Sequence, residues 1–265
     1  MCIRDSQNAI RNASLSDVEK YTHNISFVGS LYTEKCPYDK VKNLSPKISG
    51  YLHGIMKAQE KIYGYYFVEE LLSDELVDEF VKNYDGYYLA GEEDLLTKKR
   101  TLAQFYIGNK ITAMERVDTF KYLSEKFEVD IYTASDTKEI PKLKNHGTIM
   151  THTQMPIVFN KSTINLNPTS KPIRSGIPLR IFDLLACEGF VLCNYQSDLL
   201  NEFLQGEELD IYSSIEELEE KIRYYLSHMD VCREIAHNGY EKVSKYHTYP
   251  LRLEQMFRLG EHRRR

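Results

Sequence analysis

Residues 162–194 (STINLNPTSKPIRSGIPLRIFDLLACEGFVLCN) constrain the fold more than any other stretch, because they read as strand, polar loop, helix, glycine stop and second strand. Residues 163–166 are a short apolar β run, which Asn167, Pro168, Thr169 and Ser170 break with turn residues. A cationic loop follows. Ser175 is placed to cap the next helix, Gly176 lets a ligand approach the backbone, and Pro178 is tolerated in the first turn. Helix starts carry unsatisfied N–H donors and partial positive charge, so a phosphate between them and Arg174 would be held by charge-assisted hydrogen bonds.

The helix pattern separates two faces. Ile177, Ile181, Leu184 and Leu185 recur at the spacing of a buried stripe, while Gly176, Arg180, Asp183 and Cys187 share another face. Arg180 and Asp183 thus stand one turn apart, a cation suited to phosphate and a carboxylate suited to ribose hydroxyls. The competing reading is an ordinary i,i+3 ion pair, which adds only about 0.2–0.5 kcal/mol. Gly189 is expected to end the helix as a left-handed cap, with residues 190–193 as the next buried strand.

This segment, with NGYEKVSKYHTYPLRLEQMF (238–257) and ISFVGSLY (25–32), resembles the C-terminal domain of the CgeB-type spore-maturation glycosyltransferases. That bacterial group has the two-Rossmann-domain GT-B fold, and the likeness covers nearly all of residues 24–257. It implies a half that binds a nucleoside diphosphate sugar, with a missing N-terminal Rossmann domain supplying the acceptor site and the catalytic base. By alignment with the broader retaining families, Asp183 stands where a Glu holds the ribose. The partner Glu eight residues earlier falls on Ser175, which leaves retention or inversion open.

Length and composition are compatible with this. The 265 residues are 42% hydrophobic and 28% charged, ordinary for a globular chain, and the net charge of −5 argues against general nucleic-acid binding. The cationic cluster is the tail, whose residues 261–265 are read as a basic extension. Five cysteines form no Cys-x-x-Cys pair, so neither a zinc knuckle nor a disulfide framework is suggested, and a cytoplasmic home is expected. No apolar run approaches the roughly 18 residues of a membrane span. Residues 1–23 are read as a remnant and linker from a preceding domain, and 249–260 as a C-terminal crossover helix.

The remainder reads as alternating α/β. Strands are expected at 25–28, 129–132, 147–151, 164–166, 190–193 and 209–212, giving a doubly wound parallel sheet in the order 3-2-1-4-5-6 within a Rossmann-like domain spanning 24–248. A helical insertion of about 46–104 follows the first strand, and its tyrosines, Tyr63, Tyr65, Tyr66, Tyr84, Tyr87 and Tyr88, either line an acceptor surface or pack the insertion. Gly29 and Ser30 form a βα turn of the phosphate-binding kind. There is no Gly-x-Gly-x-x-Gly, and the Gly86 to Gly91 spacing is followed by Glu92 where a P-loop has Lys.

Glycosyl transfer builds negative charge on the departing diphosphate. No two aspartates stand two positions apart, so no Asp-x-Asp metal motif is present, and Arg174, Arg180 and the helix start at Gly176 are the candidates for holding that charge without a metal or other cofactor. Asn165 and Asn167 are candidates for donor-sugar contacts, as against turn residues, and His152 is a loop histidine weighed as a base and set lower. The competing function is a non-catalytic Rossmann-like binding or interaction module. A sugar-nucleotide epimerase or dehydrogenase fits poorly without the glycine fingerprint.

Overall fold

The computed structural model describes residues 3–87 and 97–262. Tyr88, Gly91, Glu92, Cys2 and the end of the basic tail therefore lie outside the described residues. Among those described, six parallel strands are β1 (His23–Val28), β2 (Asp130–Tyr132), β3 (Lys144–Asn145), β4 (Ser162–Asn167), β5 (Val191–Asn194) and β6 (Asp210–Tyr212), in the order β3-β2-β1-β4-β5-β6. The order matches the expected doubly wound arrangement. The central strands are buried on both faces because helices cover both: β5 is buried at every position and β4 at all but Thr163.

The helices are α1 (Ile3–Arg11), α2 (Leu15–Tyr21), α3 (Pro46–Glu60), α4 (Asp74–Lys82), α5 (Lys98–Thr101), α6 (Gly108–Ser124) and α7 (Met155–Lys161). They continue with α8 (Leu179–Ala186), α9 (Ser197–Glu202), α10 (Ile215–Ser227), α11 (Met229–Tyr246) and α12 (Tyr249–His262). One core lies under β1, β2, β4 and β5 with Phe120, Leu218 and Ile222 against it. The second packs Ile181, Leu184 and Leu185 of α8 on the other face, as the stripe predicts, with Ile177 partly buried beside them. The insertion has its own core, where Leu52, Leu72, Leu76, Val77, Phe80, Tyr66 and Tyr87 are buried together. A π-helical stretch, Leu102–Ile107, joins α5 to α6.

Four local expectations are corrected. The third strand is two residues long and precedes 147–151, because Gly147 turns the chain at φ +75 and residues 151–154 form a turn before α7. The polar stretch 7–23, expected as a linker, carries most of α1, which begins at Ile3, and all of α2: Tyr21 is buried, and Gln7 Nε2 donates to Ala186 O at 3.0 Å. Helix α8 starts only at Leu179, with Pro178 as its N-cap and no side-chain cap bond, so Ser175 does not cap it. At its other end Glu188, not Gly189, is left-handed, at φ +54.

Gly189 is glycine for space, not for φ. A Cβ there would stand 2.5 Å from Phe159 O and 3.0 Å from Asn165 Nδ2. Gly189→Ala is expected to cost about 1–3 kcal/mol of stability through forced backbone shifts. Gly54→Ala, in α3 with nothing within 4 Å of the new methyl, should instead add about 0.5–1 kcal/mol by removing backbone entropy. Urea denaturation of the two variants against the parent chain checks the contrast.

Candidate active site

With β1 and β4 adjacent and their following connections leaving in opposite directions, a crevice opens outside the carboxyl ends of these strands. Beside it lies a cleft of about 240 Å³. Three loops build its walls: Tyr63, Gly64, Tyr65 and Tyr66 from the insertion, Thr169 to Gly176 after β4, and Asn194 to Asp198 after β5.

The loops after β4 and β5 are held to each other by a side chain that replaces missing ladder partners. Pro168 ends β4, and the Asn194 side chain then acts as a stand-in for backbone: Thr169 N donates to its Oδ1 at 2.7 Å, and its Nδ2 donates to Thr169 O at 2.9 Å. Asn167 Nδ2 donates to Thr169 Oγ1 at 3.1 Å. The insertion loop meets the third wall at Gly64, which has φ +78 and would place a Cβ 2.6 Å from the Tyr195 ring. Only glycine fits that position without displacing the ring.

Charged groups from α6 tie the rim together. Arg116, 9% exposed, donates from Nη1 to Ser30 O and from Nη2 to Pro168 O at 2.6 Å, so one guanidinium spans the loops after β1 and β4. Its neighbour Glu115 is 3% exposed and faces Lys171 Nζ at 3.4 Å, an ion pair in which neither carboxylate oxygen has a well-formed hydrogen bond. Lys171 also donates to Ile62 O at 3.2 Å and lies over the Tyr63 ring. Burial pushes the Glu115 carboxyl above its ordinary range and the Lys171 ammonium below its own, each opposed by the partner's charge.

The cation and donor nearest solvent are Arg174 and Gly176. Arg174 Nη2 donates to Tyr66 O at 2.8 Å and stands 3.9 Å from Glu69 Oε2, with its side chain 46% exposed along the cleft. Gly176, at φ +82, donates its N–H to Asp198 Oδ2 at 2.6 Å. The donor expected to meet a phosphate therefore already meets an anion, one belonging to the protein.

The remaining candidates are scattered. Gly29 and Ser30 lie on the β1 lip outside the cleft wall, where Ser30 Oγ donates to Glu34 Oε1 at 2.6 Å and Ser135 Oγ donates to Glu34 Oε2 at 2.7 Å. Burial works against the Glu34 charge, yet these hydroxyl bonds hold its carboxyl below the usual range. Asn165 is 1% exposed and engaged by Ser26 Oγ, Phe159 O and Phe190 O, a link between strands that leaves it no group for a sugar. Ser175 is exposed beside Gly176. Arg180 turns to Met155 Sδ at 2.8 Å and the Phe159 ring, and it stands 3.7 Å from Asp183, which lines a separate groove with α1 and α12. His152 is exposed on the turn before α7.

Sequence reading missed Glu115, Arg116, Asn194 and Asp198. The first two look like a solvated stripe on an amphipathic helix, and only their burial reveals otherwise. No signal in the α6 sequence marks them: the buried Thr112, Glu115, Arg116 and Thr119 share the helix with the exposed Asp118 and Lys121.

A family model described as glycosyl transferase-like matches residues 113–258, more than half of the chain. Among solved structures, the crystal structure of TarM is similar at 13% identity over 54% of this chain and 31% of that one, with a TM-score of 0.43. The C-terminal domain of a glycosyl transferase group 1 family protein (LpcC) from Francisella tularensis is similar at 12% identity over 50% of this chain and 77% of that one, with a TM-score of 0.40. The chain thus spans less than a third of TarM. No curated protein matches it significantly. On the strength of the family match across β2 to β6 and the helices that follow them, the chain belongs to the glycosyl transferase-like family.

Proposed function

We propose that the cleft receives the diphosphate of a nucleoside diphosphate sugar and that the chain is the donor-binding half of a CgeB-like, GT-B glycosyltransferase. The observation that carries this reading is that the partly exposed Arg174 guanidinium and Gly176 line the same cleft, beside a topological switch point. Family membership supplies the reaction class, and the site supplies cations where a leaving diphosphate would gather charge. Its 240 Å³ suits the diphosphate or one sugar ring, being below the 300–1,000 Å³ typical of sites for larger ligands.

In this reading the transfer is metal-independent. As the bond between the anomeric carbon and the phosphate oxygen breaks, Arg174 and the Gly176 N–H take up the growing charge, and only the part of that interaction that strengthens during bond breaking accelerates the step. Arg180 and Asp183 join the site on the resemblance to related enzymes, which requires their pair to turn from Met155 toward the rim. The acceptor is bound by a separate N-terminal domain, in the cytoplasm. No helix among the described residues is long and apolar enough to cross a membrane.

Calorimetry with UDP, GDP, dTDP, ADP and CDP tests the proposal. At least one is expected to bind at millimolar concentration or tighter, and failure of all five would sink it. Asp183→Ala leaving binding untouched would remove Arg180 and Asp183 from the site. Asp198→Ala is expected to tighten nucleotide binding about tenfold, roughly 1.4 kcal/mol, because the incoming phosphate no longer competes with a fixed carboxylate for the Gly176 N–H. The same titration reads this change.

A further inference from the structure

Outside the cleft, three residues distant in sequence converge. His23 opens β1, Asp130 opens β2 and His146 follows β3. His23 Nδ1 stands 3.3 Å from Asp130 Oδ2, and His146 Nε2 stands 2.7 Å from Asp130 Oδ1. One ligand atom from each residue lies within 4.8 Å of the others. His23 and Asp130 are buried at 9% and 4% exposure, while the His146 side chain is 39% exposed, so the group is walled on one side and open to solvent on the other.

We propose that His23, Asp130 and His146 form a binding site for a divalent transition metal of the zinc class, with water in the fourth position. Two imidazoles and one carboxylate are a donor set that zinc accepts, and tetrahedral bonds of about 2.0–2.1 Å put ligand atoms roughly 3.3 Å apart. The His23–Asp130 pair already has that spacing, and the shorter His146–Asp130 contact opens through the exposed His146 side chain. The far nitrogen of His23, Nε2, is 2.8 Å from Tyr132 Oη. Ligating histidines are oriented by such an outer partner.

The protons balance. Without an ion, the nitrogens facing Asp130 carry hydrogen and donate to its two oxygens. With an ion, each neutral imidazole changes tautomer: His23 carries its proton on Nε2 and donates to Tyr132 Oη, and His146 carries its proton on Nδ1. No proton is released while both rings are neutral. The ion's role is to fasten the edge of the sheet. β3 pairs with β2 at only Asp130↔Lys144 and Ile131↔Asn145, and a bond from His146 to residues on β2 and β1 would secure that short edge strand. The reaction cleft takes no part, so the inference stands apart from the donor-binding proposal.

The competing account is a hydrogen-bonded His–Asp–His triad that needs no ion. Metal-stripped full chain titrated with ZnCl₂ in a calorimeter separates the two. One equivalent is expected to bind at micromolar concentration or tighter and to raise the melting temperature, with MgCl₂ doing neither, and CoCl₂ should give the visible absorption of a tetrahedral N/O site. His146→Gln, at the exposed ligand, should weaken Zn²⁺ at least tenfold. Tyr132→Phe should weaken it about tenfold through the lost outer partner, while His152→Gln should not. Absence of Zn²⁺ binding by the parent chain, or equal binding by His146→Gln and the parent, overturns the site.

Discussion

Lys171→Met is expected to lower the unfolding free energy by about 3–5 kcal/mol, because it leaves the Glu115 carboxylate buried without its counter-charge. Glu115 and Lys171 side chains are each 4% exposed, so water cannot take over for the missing ammonium. The loss should show as a lower urea midpoint at unchanged slope, since the surface exposed on unfolding stays the same. Glu115→Leu combined with Lys171→Met should recover most of the loss, because removing both members of a buried pair is far less costly than removing one. A double variant as unstable as Lys171→Met alone would show that the two side chains are not coupled. The recovery also locates the role of the pair: it fixes the β4 loop against α6 and the Tyr63 loop, and so shapes two walls of the cleft.

Arg174→Ala should weaken binding of the preferred nucleoside diphosphate by roughly 10- to 150-fold, the loss of a charged hydrogen bond worth about 1.5–3 kcal/mol. Arg174→Lys should keep the charge and lose the two-pronged geometry, giving an intermediate affinity. Because Arg174 is nearly half exposed and its contacts to the fold are with Tyr66 O, the Tyr66 ring and Glu69, the melting temperature should move little in either variant. Nucleotide affinity unchanged in Arg174→Ala would remove this residue from the anion site. A large fall in melting temperature would instead assign it to anchoring the insertion.

The sheet order was legible because every strand but β3 carries a short buried apolar run bounded by turn residues, and because right-handed crossovers leave few ways to order such runs; β3, the exposed pair Lys144 and Asn145, carries no such signal. The buried stripe of α8 was equally plain, since Ile181, Leu184 and Leu185 repeat at the helical period. The starts and stops were less so. Pro178 sets extended geometry at ψ 137 and delays the helix past Gly176, a position where Ser175 and Gly176 had suggested an earlier start. Gly189 was read by its backbone freedom, whereas its cause is the approach of Phe159 O, a contact between segments 30 residues apart.

The site was half legible for the same reason. Arg174 and Gly176 share a loop, so local sequence could bring them together. Arg116, Glu115 and Asn194 reach the rim from other elements, and their polarity gives no hint that they face inward. Asn165 shows the reverse error: a polar residue at a strand end suggests a ligand contact, but three partners within the protein already use its amide. A carboxylate such as Asp198 at a predicted anion site cannot be foreseen, because it arrives on the next helix.

The Arg116 strap has a consequence for how quickly anything could dock. Joining Ser30 O to Pro168 O with one planar, buried group sets the aperture of the crevice at folding, so the entropy of aligning its two edges is lost before an encounter and not during it. Rigid framing of this kind confines rearrangement on capture to groups off the strap, such as the Arg180 and Asp183 pair.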